Sequence, residues 1–250
     1  MRIISLAIQK GGTGKTTTAL NLAYALAELG RRVLLVDIDP QASLTMAVGV
    51  ENTNGRSLAD VLGDSKPGRL AMADIIRPLA HGLDLAPSDL SLSNSELGFT
   101  VRMGRETVLK KALANLAYDY CLIDCGPSLG MLVVNALTAC HGVIAPVVPD
   151  ALGLRGLSLF LQSLESIRAE LNPGLEFIGV LVTQYDKRLN LHQAALEDLR
   201  AGGVPVLPVI IPKRAELARS AGAGQPVMRA DLAEYYKQLA ECIEKWQSQS

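Results

Sequence analysis

The chain has 250 residues, 49% of them hydrophobic and 4% aromatic, enough for one sizeable and mainly aliphatic core, and a single domain over residues 1–250 is expected. Its formal charge of −1 supplies no global field toward nucleic acid, so any such affinity must come from a local patch. The apolar stretch Ile3–Ile8 is too short for a signal peptide, no run approaches the ~18 apolar residues of a membrane span, and Cys121, Cys125, Cys140 and Cys242 form no Cys-x-x-Cys pair, so a cytoplasmic protein with reduced, mostly buried thiols is expected.

Strands and helices alternate along the chain. Ile3–Ile8 reads as a buried strand, and Thr16–Leu29 as a helix with Ala19, Leu22, Ala23, Leu26 and Leu29 at helical spacing. Gly30 closes that helix, and Val33–Val36 is a second strand. Residues 49–82 are weakly patterned and read as a surface excursion with one or two short helices. Leu83–Ala86 is a short strand, Arg105–Leu116 a helix and Tyr120–Ile123 a strand. A helix around Leu129–Cys140 precedes the strand Val143–Val148, the helix Leu154–Ala169, the strand Phe177–Val182, the helix Leu191–Arg200 and the strand Val206–Ile211. Two helices near 214–221 and 230–246 end the pattern. About seven such continuous β-branched runs, each followed by a helix, predict an α/β fold: a mostly parallel twisted sheet with helices on both faces. Ligands of such sheets sit outside the carboxyl ends of the strands.

Residues 10–17, Lys-Gly-Gly-Thr-Gly-Lys-Thr-Thr, lie at the first of those ends. The common phosphate-loop pattern would need Gly at position 9, where Gln9 stands; an added lysine, Lys10, follows it. Gly11, Gly12 and Gly14 can take positive φ, which lets successive N–H groups turn inward as an anion-binding nest. Thr13 and Thr17 complete the loop. The next helix aims its N-terminus at the same spot. Lys15 is placed to reach β- and γ-phosphates, and the Thr16 hydroxyl to ligate Mg²⁺. Lys10, at the other end of the loop, need not serve the same nucleotide and can reach one bound by a second copy of the chain. Asp124, at the tip of a buried strand, fits an anchor for the metal through water. Asp39, two residues past another strand, fits a group that orients an attacking water. Asp37 is ambiguous between such a role and a structural one. His81, His141 and His192 are scattered and form no constellation.

The loop Lys10–Thr17, the run Asp37-Ile-Asp-Pro-Gln41 and the run Tyr118–Ser128 together resemble the ParA/Soj branch of the ParA–MinD family of deviant Walker A, P-loop ATPases. The similarity runs nearly end to end, through Leu83–Ser88, Val182–Asp186 and Ile211-Pro212. It implies a P-loop NTPase fold that binds ATP and Mg²⁺ and closes as an ATP-dependent homodimer, with Lys10 crossing to the partner's nucleotide. It further implies nonspecific double-stranded DNA as ligand, a ParB-like protein that stimulates slow hydrolysis, and a nucleoid-associated location. Pro212 occupies the family's adenine-contact position; Arg214 stands where the family usually has Asn, which separates this chain from the pattern there.

Between residues 185 and 229, Lys187, Arg188, Arg200, Lys213, Arg214, Arg219 and Arg229 outnumber Asp186, Glu197, Asp198 and Glu216. Such a cluster suits phosphate-backbone contact, and Lys187, Arg188, Lys213, Arg214 and Arg219 are the DNA candidates. Arg188 matches a family DNA-contact arginine, whereas Glu216 followed by Arg219 departs from the family's order of charges. The rival MinD-type reading needs a basic amphipathic tail; from Asp231 onward Asp231, Glu234, Glu241 and Glu244 face only Lys237 and Lys245, so no membrane association is expected. An iron–sulfur carrier would need cysteines converging at a dimer axis, which Cys121 and Cys125 on an apolar strand do not suggest. A scaffold with negligible turnover is disfavoured by Asp39.

Overall fold

A computed structural model describes residues 1–63, 70–79, 82–98, 103–223 and 225–249. His81 and part of the 49–82 excursion lie outside the described residues. Eight strands form one sheet: β1 (Arg2–Leu6), β2 (Val33–Asp37), β3 (Arg77–Pro78), β4 (Leu83–Ala86), β5 (Tyr120–Asp124), β6 (Gly142–Val147), β7 (Glu176–Tyr185) and β8 (Val206–Pro212). Their spatial order is β3-β4-β2-β5-β1-β6-β7-β8. All pairs are parallel except β3 with β4, so the mostly parallel sheet expected from the apolar runs is present.

Strand residues alternate between two cores. Ile3, Leu34, Val36, Cys121 and Ile123 point to one face, under α6 (Val108–Leu113), α7 (Met131–Ala139), α8 (Ala151–Glu170) and α9 (Asn190–Ala201). Ile4, Leu6, Val33, Leu35, Tyr120 and Leu122 point to the other, under α1 (Lys15–Glu28) and α11 (Ala230–Gln249). Gly30 closes α1 at φ 79°, its N–H donating to the Ala27 carbonyl at 2.9 Å. The apolar stripe of α11, Leu232, Tyr236, Leu239, Ala240 and Ile243, is buried in the same core as α1. Among the described residues no helix is long and apolar enough to cross a membrane.

The structure departs from the sequence pattern where side-chain hooks rather than periodicity set the backbone. The five-residue helix α2 (Ser43–Ala47) was not expected; buried Asp37 holds it by accepting hydrogen bonds from the Thr45 N–H and hydroxyl. Among the described residues, 49–82 carry two short helices, as expected, α3 (Leu58–Leu62) and α4 (Met72–Ile75); the antiparallel edge β3 and α5 (Leu92–Gly98) are additions. The helix expected over Arg105–Leu116 is a 3₁₀ turn at Arg105–Thr107 followed by α6, which stops where Ala114 turns extended and Asn115 takes φ 69°. Strand β7 runs three residues beyond the expected Val182. Its extra residues reach the phosphate loop. Short α10 (Ala215–Gly222) follows β8.

Strand β1 feeds α1 on one face, and neighbouring β6 feeds α8 on the opposite face. The crevice between two such strands is the topological switch point where parallel sheets bind ligands. The start of α8 is fixed tightly there: a Cβ on Gly153 would lie 2.1 Å from the Val148 carbonyl oxygen. Gly153→Ala is therefore expected to cost about 1–3 kcal/mol in urea melts, while Gly174→Ala, with only the Asn172 side chain near at 3.9 Å, should cost far less.

Candidate functional site

Three carbonyls of the loop after β1 each have a side-chain donor. Lys15 Nζ donates to the Lys10 carbonyl at 2.9 Å, Gln184 Nε2 to that of Gly12 at 2.5 Å and Thr183 Oγ1 to that of Thr13 at 2.7 Å. Gly12 and Gly14 supply the positive φ that this path requires, 71° and 87°. Gly14 is also the N-cap of α1. Thr183 and Gln184 come from the polar end of β7, with Gln184 itself at φ 52°. The sequence places these two residues near the site but gives no sign of what they hold.

The loop opens on a cavity of about 590 Å³. Gly11, Gly12, Thr13, Gly14, Lys15, Thr16 and Thr17 line one end, with Asp39; Pro212, Lys213, Arg214, Leu217 and Tyr236 line the rest. All the expected loop residues except Lys10 are thus brought together with Asp39, Pro212 and Arg214. Ser43, Cys125, Pro127, Leu217 and Tyr236 also line it, and sequence spacing does not reveal them because they come from separate elements.

Two carboxylates stand behind the loop. Thr16 donates its hydroxyl to Asp124 Oδ2 at 2.7 Å, and Asp124 Oδ1 is buried without a hydrogen-bond partner among the described residues. A hydroxyl and a carboxylate oxygen at that spacing, one oxygen unspent, fit a hard cation held by Thr16 and by water on Asp124. Burial pushes the Asp124 carboxyl above its ordinary value, and nearby Asp37 pushes it further. Burial pulls the Lys15 ammonium down, opposed by Asp124. The charges here favour a ligand that brings both anionic oxygens and a cation.

Asp37 resolves as structural. It is fully buried and accepts from the N–H of Asp39 at 3.2 Å, the N–H of Thr45 at 2.8 Å and the Thr45 hydroxyl at 2.7 Å. Asp39 is half-buried at the cavity wall, where Oδ1 accepts the Gln41 N–H at 3.0 Å. Its carboxylate lies over Gly126, where a Cβ would approach Oδ1 to 3.3 Å.

Lys10 points elsewhere. Its ammonium pairs with Asp150 at 2.8 and 3.1 Å, beside the cavity rather than in it.

Known proteins match this chain in sequence and in fold. A family model described as "AAA domain" matches residues 1–177. The chromosome partitioning protein ParA of Caulobacter vibrioides is 40% identical over 238 residues, 93% of this chain and 88% of that protein. The chromosome-partitioning ATPase Soj of Thermus thermophilus is 40% identical over 250 residues, covering 96% and 94%. The chain belongs to the ParA/Soj family of partition ATPases. A Mycobacterium smegmatis structure titled cobyrinic acid a,c-diamide synthase, with bound ATP analogue and magnesium, superposes with TM-score 0.85 at 36% identity, covering 100% of this chain and 97% of that one.

Within this ParA/Soj chain the basic segment is less open than its charge count suggests. Arg188 is forked onto Asp186 at 2.9 and 2.7 Å, and Arg229 pairs with both Asp231 and Glu216. Lys187, Lys213, Arg214 and Arg219 are exposed and stand outside ion pairs among the described residues. Lys187, Arg188 and Arg214 share one groove beside β8; Arg214 also borders the nucleotide-sized cavity. Arg219 sits apart on α10.

The structural role of Asp37 predicts that Asp37→Ala, which orphans two backbone N–H groups and a hydroxyl, lowers stability by about 1–3 kcal/mol in chemical denaturation. Thr183→Val, which strips the donor from the Thr13 carbonyl while keeping shape, is expected to cost a similar amount.

Proposed function

We propose that this chain, acting as one domain over residues 1–250, is an ATP-driven switch that dimerises on ATP, holds nonspecific double-stranded DNA as a dimer, and lets go when a ParB-like protein stimulates its slow hydrolysis. Sequence kinship to ParA and Soj supports the reading, and the observation that carries it is the divided use of two loop lysines. Lys15 faces the cavity, while the Lys10 ammonium lies beside it with its side chain 22% exposed. A lysine that does not serve its own site is available to a neighbour's.

Exposed apolar side chains support the same face as a dimer surface. Met46, Leu90, Leu152, Leu189 and Leu191, each 47–69% exposed, all lie in segments that follow strand carboxyl ends, the edge where the phosphate loop lies. Apolar area left in water at about 25 cal/mol per Å² favours burial against a second copy.

In the mechanism, amides of residues 11–16, on a path given positive φ by Gly12 and Gly14, and Lys15 cradle the phosphates of ATP. Thr16 and, through water, Asp124 would hold magnesium, which would supply positive charge against the phosphates. Asp39 orients the attacking water, its carboxylate poised at the wall by the Gln41 amide. Pro212 and Arg214 border the far end, where the base would lie, with the apolar faces of Leu217 and Tyr236. Lys10 adds its charge at the partner's γ-phosphate, so closure depends on that phosphate. Each subunit then presents Lys187, Lys213, Arg214 and Arg219, and only the dimer doubles the patch. The burial of the α11 apolar stripe against α1 removes the surface that a membrane-anchoring tail would use, which favours DNA over a MinD-type membrane partner.

Lys15→Ala is expected to abolish ATP binding in equilibrium titration. Lys10→Ala should bind ATP yet sediment as a monomer and fail to stay on DNA; Asp39→Ala should remain on DNA as a dimer that does not release phosphate. Were Asp39→Ala to hydrolyse at the stimulated wild-type rate, its role would be wrong. With four exposed cations per subunit in contact with phosphate, ATP-dependent DNA affinity should fall about 10³–10⁵-fold between 50 and 200 mM salt. A salt-independent affinity, or equal affinity with ADP, would contradict the DNA reading.

A further inference from the structure

The Lys10–Asp150 pair spans the switch-point crevice, joining the loop after β1 to the residue that caps α8 after β6. Asp150 is held rigidly. It is the N-cap of α8, its Oδ1 accepting the Gly153 N–H at 2.6 Å, and its own N–H donates to the Val148 carbonyl at 2.8 Å. The absent Cβ of Gly156 lets α8 approach the loop: a methyl there would sit 3.6 Å from the Gln9 carbonyl oxygen and 3.9 Å from the Lys10 Cβ. The α8 N-terminus stabilises the carboxylate as an anion. Burial alone would raise the Asp150 carboxyl; hydrogen bonds from Lys10 and the Gly153 N–H outweigh it and hold it below its ordinary value.

An ammonium with donors spent on both Asp150 oxygens, at 2.8 and 3.1 Å, has at most one left, so turning it toward a neighbouring subunit's phosphate gives up contact with Asp150. We propose that Asp150 is a positioning residue that holds Lys10 in cis, so that this ion pair competes with the cross-subunit contact and sets the ATP concentration at which the chain dimerises. The inference rests on the reading of Lys10 as the cross-subunit lysine. The pair is small enough to be overcome: its side chains are 22% and 33% exposed, and pairs of that kind weigh about two- to five-fold in an equilibrium constant. A dimer must break two of them, so the effects multiply to about 4- to 25-fold. This gives a threshold, not a block.

Asp150→Asn separates the latch from the cap, since asparagine caps a helix as well as aspartate but carries no charge. The full-length chain would be titrated with a nonhydrolysable ATP analogue and Mg²⁺, and the dimer dissociation constant read by sedimentation. The expected result is a dimer about 4- to 25-fold tighter than wild type, with a melting midpoint within about 4 °C of it. Asp150→Ser, also a good cap, should behave alike. Unchanged or weaker dimerisation in both variants overturns the latch, the weaker result showing instead that Asp150 supports Lys10 in the dimer. Lys10→Ala, measured alongside, keeps the two readings apart. If it dimerises as tightly as wild type, the cross-subunit role of Lys10 falls. If it stays monomeric while Asp150→Asn gains nothing, the latch alone falls.

Discussion

Everything at this site depends on one constraint: a short loop can offer its amides to phosphates only if its carbonyls have donors of their own. Buried or half-buried carbonyls without donors cost free energy comparable to a lost hydrogen bond. Here the donors are Lys15, Gln184 and Thr183, drawn from the loop itself and from a strand about 170 residues away in sequence. The parallel sheet brings that strand near: β6 lies between β1 and β7, and the long β7 extends past it to the loop. Fold and site are therefore one problem, in which the order of strands decides which side chains can close the loop.

The same topology explains the division of labour between the two lysines. Lys15 opens α1 on one face of the sheet and is trapped at the cavity. Lys10 precedes the turn and emerges at the crevice between β1 and β6, where α8 departs to the other face. A residue at that crevice can pair within its own chain or reach outward. Asp150 occupies the inward option with a fixed carboxylate, so in the proposed dimer a change of partner by one ammonium would become a change of assembly. Coupling of this kind needs no long-range distortion of the core, only differential contact in two states.

Much of this was legible in the sequence. The glycine spacing of residues 10–17, the aspartates at strand ends and the apolar periods gave the sheet, its parallel character, and the residues of the loop to within a residue or two. Elements set by side-chain hooks were not legible: α2 exists because Asp37 grips Thr45, and β7 continues through polar Thr183 and Gln184 because their side chains serve the loop. No periodicity records such a hook. Charge counting does not show that Arg188 pairs with Asp186, or Arg229 with Asp231 and Glu216. Formal charge registers the sum but not the pairing.

The most direct measurement is a crystal structure of the chain with magnesium and a nonhydrolysable ATP analogue. The account predicts a two-fold dimer in which Lys10 has left Asp150 and its ammonium lies within hydrogen-bond distance of the partner's terminal phosphate. A structure with analogue bound in the cavity, Lys10 still on its own Asp150 and no second subunit across the phosphates would contradict it.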